Sequence, residues 1–257
     1  MIKLLGLPPL ATEHGVDVDN LILYVHLVMG ALFVGWLAFF FYTLFRFRQG
    51  RNPKASYVGV QTHASTWVEI AVAVVEGVLL IGFAVPLWAK VADKFPAAKD
   101  STVLRVIAEQ FSWGALYAGA DSVFGKQDPR LVTKENPLGT DKDDPNGKDD
   151  FRSSAQNEIV VPVNKPVIAH VTSKDVIHSF KVNALRVTQD AIPGIPIPVH
   201  FIPNKEGNYL INCAQLCGNS HAFMRGYVRV VSQEKYNEWA AEQLKKAAAG
   251  GGAPVFE

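Results

Sequence analysis

From Asn20 to Phe45 the chain runs without a single Asp, Glu, Lys or Arg. Coiled as a helix, that stretch is long enough to cross about 30 Å of hydrocarbon. A second apolar segment, Trp67 to Trp88, follows after a short polar loop and is bracketed by tryptophans, as membrane–water interfaces favour. The pattern predicts a transmembrane helical hairpin over residues 20–90. Its loop carries Arg46, Arg48, Arg51 and Lys54, and a basic loop of this kind stays on the cytoplasmic side. The N-terminal segment 1–19 and everything after Lys90 are therefore expected on the outer side. Residues 1–19 carry neither a basic start running into an apolar core and cleavage site nor a cysteine for lipid attachment, so no cleaved leader is read there.

Past Lys90 the period changes. Short β-branched and aromatic runs predict strands at Ser101–Ala108, Phe111–Tyr117, Glu158–Val163, Val167–Ser173, Ser179–Val182, Ile197–Ile202, Tyr209–Asn212 and Tyr227–Val231, separated by Pro, Gly and Asn turns. Residues 91–232 thus read as an all-β sandwich or Greek-key barrel. Ala118 to Asn157, rich in Asp, Lys, Gly, Pro and Asn, reads as a long, solvated surface insertion within it. The remaining residues, 233–257, predict an amphipathic helix over Gln233–Lys246 and a disordered Ala/Gly tail.

Composition adds two points. A net charge of +1 gives no reason to expect a nucleic-acid partner. A hydrophobic share of 49% beside 19% charged residues is high for a soluble domain, and most of the excess lies in the hairpin. Within the second apolar segment, Glu69 and Glu76 are costly in lipid, so they should face protein or water. Glu69 is close enough to the cytoplasmic end to snorkel, whereas Glu76 is deeper and implies a larger membrane partner. His26 reads as a polar packing contact.

The candidate chemistry is concentrated in Asn212–Met224, which holds both cysteines of the chain (Cys213 and Cys217), His221 and Met224. Two cysteines at this spacing fit a disulfide, a redox pair or a metal site. Thiolate, imidazole and thioether together are the donors that copper selects over oxygen ligands. A mononuclear blue-copper site uses one Cys, two His and a weak Met, so the second thiolate is one too many. Two bridging thiolates suit a pair of copper ions, each completed by one His and one weak donor. The second imidazole is best supplied by His178, just ahead of a predicted strand; His170 and His200 alternate within apolar strands and read as packed strand residues.

The His178 segment Asp175-Val176-Ile177-His178-Ser179-Phe180, the run Gln189-Asp190-Ala191-Ile192-Pro193-Gly194, and Cys213-x-x-x-Cys217-Gly218-x-x-His221-x-x-Met224 together resemble subunit II of haem-copper cytochrome c oxidase. A two-helix hairpin ahead of an outer β domain is similar as well. The resemblance implies a cupredoxin-like Greek-key barrel and the dinuclear copper centre CuA. In it Cys213 and Cys217 bridge, His178 and His221 are terminal ligands, and Met224 and the backbone carbonyl of Gln215 are weak ligands. It further implies a c-type cytochrome as electron donor, haem in the catalytic subunit I as acceptor, other oxidase subunits and membrane lipid as neighbours, and a bacterial inner membrane as location. Glu69 matches a glutamate at the mouth of a proton channel.

The chain departs from the family pattern at four positions. Gln215 stands where the family has a glutamate whose side chain helps bind magnesium at the subunit I boundary; the carbonyl ligand carries over, but that magnesium ligand does not carry over as such. Phe111 in Gln110-Phe111-Ser112-Trp113 replaces a tryptophan of the cytochrome docking stretch. Ile195 replaces an arginine beside the haem edge, and Glu76 replaces a frequent proline. Three other readings compete. A copper-free quinol-oxidase type of subunit would not need the full set of Cys, His and Met. A membrane-anchored copper or thiol chaperone would open a thioredoxin-like pattern with its cysteines. A structural subunit with a disulfide would leave His178 and Met224 without a purpose.

Overall fold

In a computed structural model the described residues are 6–55, 57–59, 61–133, 136, 138–141 and 143–248. The first five residues of the N-terminal segment and the Ala/Gly tail 249–257 lie outside them. The chain divides into two compact units, one of residues 1–7 and 17–90, the other of 8–16 and 91–257.

The helical unit is built on α1 (Gly15–Arg46) and α2 (Ala64–Asp93). Both are long and apolar enough to span a membrane, and their most apolar windows are not buried within the chain. Tyr24 and Phe83 meet edge to face at 5.5 Å, and Lys90 pairs with Asp17 at 2.6 Å. Each helix runs past its charge-free stretch, because a helix continues through polar residues until its ladder is broken. In α2, Pro86 has no N–H to donate. The preceding turn, Leu80–Ala84, widens to π-helical geometry, with Val85 N–H donating to the Leu80 carbonyl. Glu69 and Glu76 are both exposed on α2.

The β unit is a sandwich of two mixed five-stranded sheets. The strands are β1 (Thr102–Glu109), β2 (Ser112–Tyr117), β3 (Phe151–Arg152), β4 (Glu158–Pro162), β5 (Val167–Ser173), β6 (His178–Val182), β7 (Val187–Ala191), β8 (Ile197–Phe201), β9 (Gly207–Cys213) and β10 (Arg225–Val231). One sheet has the order β3-β2-β1-β5-β8, the other β4-β10-β9-β6-β7. Pairs β1/β5 and β4/β10 are parallel and the rest antiparallel.

Alternation decides which side chains form the core. Leu104, Val106 and Ala108 of β1, Trp113, Ala115 and Tyr117 of β2, and Val167, Ala169 and Val171 of β5 all point between the sheets and are buried. Trp113 packs edge to face on Phe180 of the opposite sheet at 5.7 Å. The amphipathic C-terminal helix α3 (Gln233–Ala248) lays Tyr236, Trp239 and Ala240 on this core, with Trp239 at 5.2 Å from the Tyr117 ring. Pro8–Val16, within the expected outer N-terminal segment, is fastened to the β unit: Ala11 N–H donates to the Ala184 carbonyl and Asn204 N–H to that of Ala11, each at 2.9 Å.

Two features differ from the expectations above. Strand β7 does not show in the residue pattern, because Thr188, Gln189 and Asp190 break any apolar run; it is an edge strand with a mostly polar exposed face. The 118–157 segment is more than a solvated loop. Phe124 packs on Val103, Ala118 and Ile168, on the outer face of the first sheet. Its carboxylates bind its own backbone: Asp144 accepts from Lys126 N–H at 2.8 Å, Asp149 from Ala120 N–H at 2.6 Å and Asp150 from Gly125 N–H at 2.9 Å. An acid that caps an amide in this way looks from sequence like one of an ordinary charge run. Phe151 and Arg152, also inside the segment, add β3.

Candidate metal centre

The site forms at one end of the second sheet. Strands β6 and β9 pair with Phe180 opposite Cys213, which places His178, two residues earlier, beside the turn that leaves β9. That turn, 214–224, is the connection from β9 to β10. It is anchored by Ala214 N–H donating to the Ser179 carbonyl at 3.0 Å and Cys213 N–H to the Met224 carbonyl at 3.3 Å.

Five of the six residues singled out from the sequence converge through side-chain donors, and the sixth through its carbonyl. The Cys213 and Cys217 sulfurs lie 3.7 Å apart, both as free thiols. His178 Nδ1 is 3.9 Å from the Cys213 sulfur, and His221 Nδ1 is 3.4 Å from that of Cys217. The Met224 thioether sulfur is 3.8 Å from the Cys217 sulfur, and the Gln215 carbonyl oxygen is 3.1 Å from that of Cys213. His178, Cys213 and Cys217 place their donor atoms within 4.8 Å of one another. His178, Cys217 and Met224 are buried, whereas the Gln215 side chain is exposed. Glu69 belongs to the helical unit and not to this cluster.

Chemistry of the donor set indicates what fits. Burial, then the neighbouring Cys213 thiol and the Asp175 charge, push the Cys217 thiol up to about 12. Two thiolates at this separation therefore call for bound cations between or beside them. The donors are two sulfurs, two imidazole nitrogens, a thioether and a carbonyl, and this set matches soft or borderline metals rather than magnesium or calcium. The residues fit copper.

Two residues that were not singled out as site residues, Asp175 and Gln110, hold the donors in place. Asp175 Oδ1 accepts from His178 Nε2 at 2.8 Å and from Val176 N–H at 2.7 Å. Its Oδ2 accepts from Gln110 N–H at 2.7 Å. Burial works to raise this carboxyl, but the bonds from His178, Gln110 and Val176 outweigh it and hold it below the usual carboxylate range. An ionised Asp175 can only accept, so Nε2 carries the His178 proton and Nδ1 turns its lone pair toward the sulfurs. A carboxylate three residues before a candidate ligand histidine is the signal that could have identified it. Gln110 Nε2 donates to the Cys217 carbonyl at 2.6 Å across 107 residues, a separation with no local sequence signature. Of the three histidines set aside in the sequence, His170 packs against Phe124 at 5.9 Å and His200 against Phe95 at 4.6 Å, whereas His26 is exposed and bonds the Ile22 carbonyl of its own helix at 2.7 Å.

Fold and site define a class: a β-sandwich with a soft-donor metal loop, in a chain that also carries a hairpin of membrane-length helices. Residues 104–231 match the family model described as cytochrome c oxidase subunit II, periplasmic domain. The chain is 30% identical to the alternative cytochrome c oxidase subunit 2 of Bradyrhizobium diazoefficiens, over 95% of this chain and 86% of that protein. It is 31% identical to cytochrome c oxidase subunit 2 of Cereibacter sphaeroides, over 91% of this chain and 78% of that one. Among solved structures, the periplasmic domain of subunit II of Bradyrhizobium japonicum cytochrome oxidase is similar at 30% identity, covering 60% of this chain and 99% of that one with a TM-score of 0.42. The chain belongs to the cytochrome c oxidase subunit II family.

Proposed function

We propose that this chain is the electron-entry subunit of a haem-copper cytochrome c oxidase. It receives electrons from a c-type cytochrome at a dinuclear copper centre, CuA, and delivers them to haem in the catalytic subunit I, where oxygen is reduced. The observation that carries this is the pair of sulfurs 3.7 Å apart with one imidazole nitrogen near each, His178 by Cys213 and His221 by Cys217. In this reading Cys213, Cys217, His178 and His221 would hold the metal pair, with Met224 and the Gln215 carbonyl as weaker donors. When bound, the metal pair supplies a one-electron carrier in which the charge is shared and bond lengths change little on transfer.

The protein's part is to keep that geometry fixed. His178 is fully buried in β6 and held by Asp175; Met224 is pinned where β10 begins. A site whose donors are locked by packing and neighbouring hydrogen bonds reorganises little as charge arrives. Leu216 and Phe223 in the same loop are 78% and 79% exposed, an apolar rim suited to brief docking of an electron-donor protein over the site. Gln215 has a neutral side chain, so any magnesium at the subunit I boundary lacks the carboxylate that relatives bring to it from this position.

The helical hairpin holds the chain in a bacterial inner membrane, with the Arg46–Lys54 loop cytoplasmic and the β unit on the periplasmic side. Glu69 serves the cytoplasmic mouth of a proton path whose remainder lies in subunit I. The test is Cys217→Ser in the assembled oxidase. We expect the complex to assemble with haem intact while oxidation of reduced cytochrome c stops. Unchanged oxidation in that variant contradicts the proposal.

A further inference from the structure

We infer that Gln110 is a positioning residue for the metal centre, a clamp that ties the cysteine loop to the histidine side; this rests on reading the site as a copper centre. Its place in the fold makes the link. Strands β1 and β5 run parallel with Ala108 opposite Ser173, so the turn after β1 meets the turn after β5. Gln110 sits in the first turn and Asp175 in the second, and the backbone N–H of Gln110 donates to Asp175 Oδ2 at 2.7 Å. The other oxygen of that carboxylate holds His178 Nε2 at 2.8 Å. The Gln110 side chain then reaches the opposite way and donates from Nε2 to the Cys217 carbonyl at 2.6 Å.

One residue thus joins the two segments that supply the ligands. The need for this follows from the sheet: the β6–β9 pairing ends at Phe180 and Cys213, so Cys217 lies beyond that ladder, while His178 is held from the other side, opposite Ala191 of β7. Turn bonds inside the loop, from His221 N–H to the Gly218 carbonyl at 3.1 Å and from Phe223 N–H to that of Ser220 at 2.9 Å, shape it without tying it to β6. The neighbouring glycine is fitted to the same contact. Gly218 has φ +135°, and a Cβ there would stand 2.7 Å from Gln110 Nε2 and 3.0 Å from the Phe111 ring. The missing side chain is what lets the Gln110 amide approach the Cys217 carbonyl.

The chemistry of the contact selects the test. Gln110→Glu keeps shape and size but sets carboxylate oxygens against a carbonyl oxygen; Gln110→Leu keeps bulk and removes the donor. Both leave the backbone bond to Asp175 in place. The full-length chain in detergent is loaded with copper and titrated with a chromogenic Cu(I) chelator, and electron paramagnetic resonance follows the hyperfine pattern. We expect both variants to lose copper affinity about 10–100-fold, as is usual when a partner of a metal ligand is removed, with altered hyperfine splitting. Gly218→Ala approaches the same contact from the other side and keeps Gln110. Adding Gln110→Leu to it should weaken binding no further, because residues sharing one contact do not add. Wild-type affinity and spectrum in Gln110→Glu, or full additivity in the double variant, overturns the clamp. Failure of the wild-type chain to take up copper would instead sink the reading on which it rests.

Discussion

Asp175→Asn tests whether the carboxylate beside His178 sets the ligand's orientation. Oδ1 takes His178 Nε2 at 2.8 Å, Val176 N–H at 2.7 Å and the Ser173 hydroxyl at 3.2 Å, whereas Oδ2 takes Gln110 N–H at 2.7 Å. An asparagine keeps its single oxygen where the three donors converge, which turns its NH2 group against the Gln110 N–H. Two losses follow. The bond to His178 is no longer assisted by charge, and hydrogen bonds to charged groups contribute about 1.5–3 kcal/mol against about 1 kcal/mol for neutral ones. The Gln110 N–H also loses its acceptor and faces a donor. Together these amount to about 1.5–3 kcal/mol, or a 10–100-fold fall in copper affinity at about 1.4 kcal/mol per factor of ten. Competition with a Cu(I) chelator on the full-length chain measures it, with Asp175→Ala as the harsher control. Wild-type affinity in both variants would refute the argument that Asp175 holds the imidazole.

Other predictions concern separate parts of the molecule. Glu69→Gln in the assembled oxidase should slow steady-state turnover several-fold while the copper spectrum stays unchanged; normal turnover returns Glu69 to a snorkelling surface acid. In the metal-free chain, mild oxidation should join Cys213 and Cys217, whose sulfurs are 3.7 Å apart, and block copper uptake until a thiol reductant is added, as mass spectrometry and copper titration would show. In the insertion, burial first, and then the Asp149 and Asp121 charges, raise the Asp150 carboxyl to about 6 against the opposing Gly125 bond and Arg105. The folded state then holds this proton more tightly than the unfolded chain, so stability falls as pH rises from about 4 to about 6. Because the group is only half-buried, the loss should be about 1–2 kcal/mol rather than the full value of the shift. Thermal melts of Asp150→Asn against wild type across that range should show the difference, and parallel curves would remove Asp150 as its source.

Much of this molecule could be read from residue order, and the reasons differ by region. The hairpin was legible because a charge-free run of that length is long enough for a bilayer and too apolar for a helix in water. The convergence of donors in the 213–224 loop was legible because its thiols, imidazole and thioether lie within one short turn, so no long-range pairing had to be known. His178 needed the β6–β9 register to reach it, yet its own segment was distinctive. Strand β7 was hidden because an edge strand may carry Thr188, Gln189 and Asp190 without burying them. The insertion looked solvated because capping acids and idle acids are the same residues on paper. The bond from Gln110 to Cys217 could not be read from the sequence: it exists only once β1 and β5 are paired and the loop has closed over them.

A pair of copper ions is to be held by the 213–224 loop of this chain together with His178 of β6. Copper analysis together with electron paramagnetic resonance of the purified oxidase tests it most directly. The expected result is two copper ions per chain in addition to those of the catalytic subunit, and a signal split by two equivalent copper nuclei. A signal split by one nucleus, or no copper beyond that of the catalytic subunit, would contradict it.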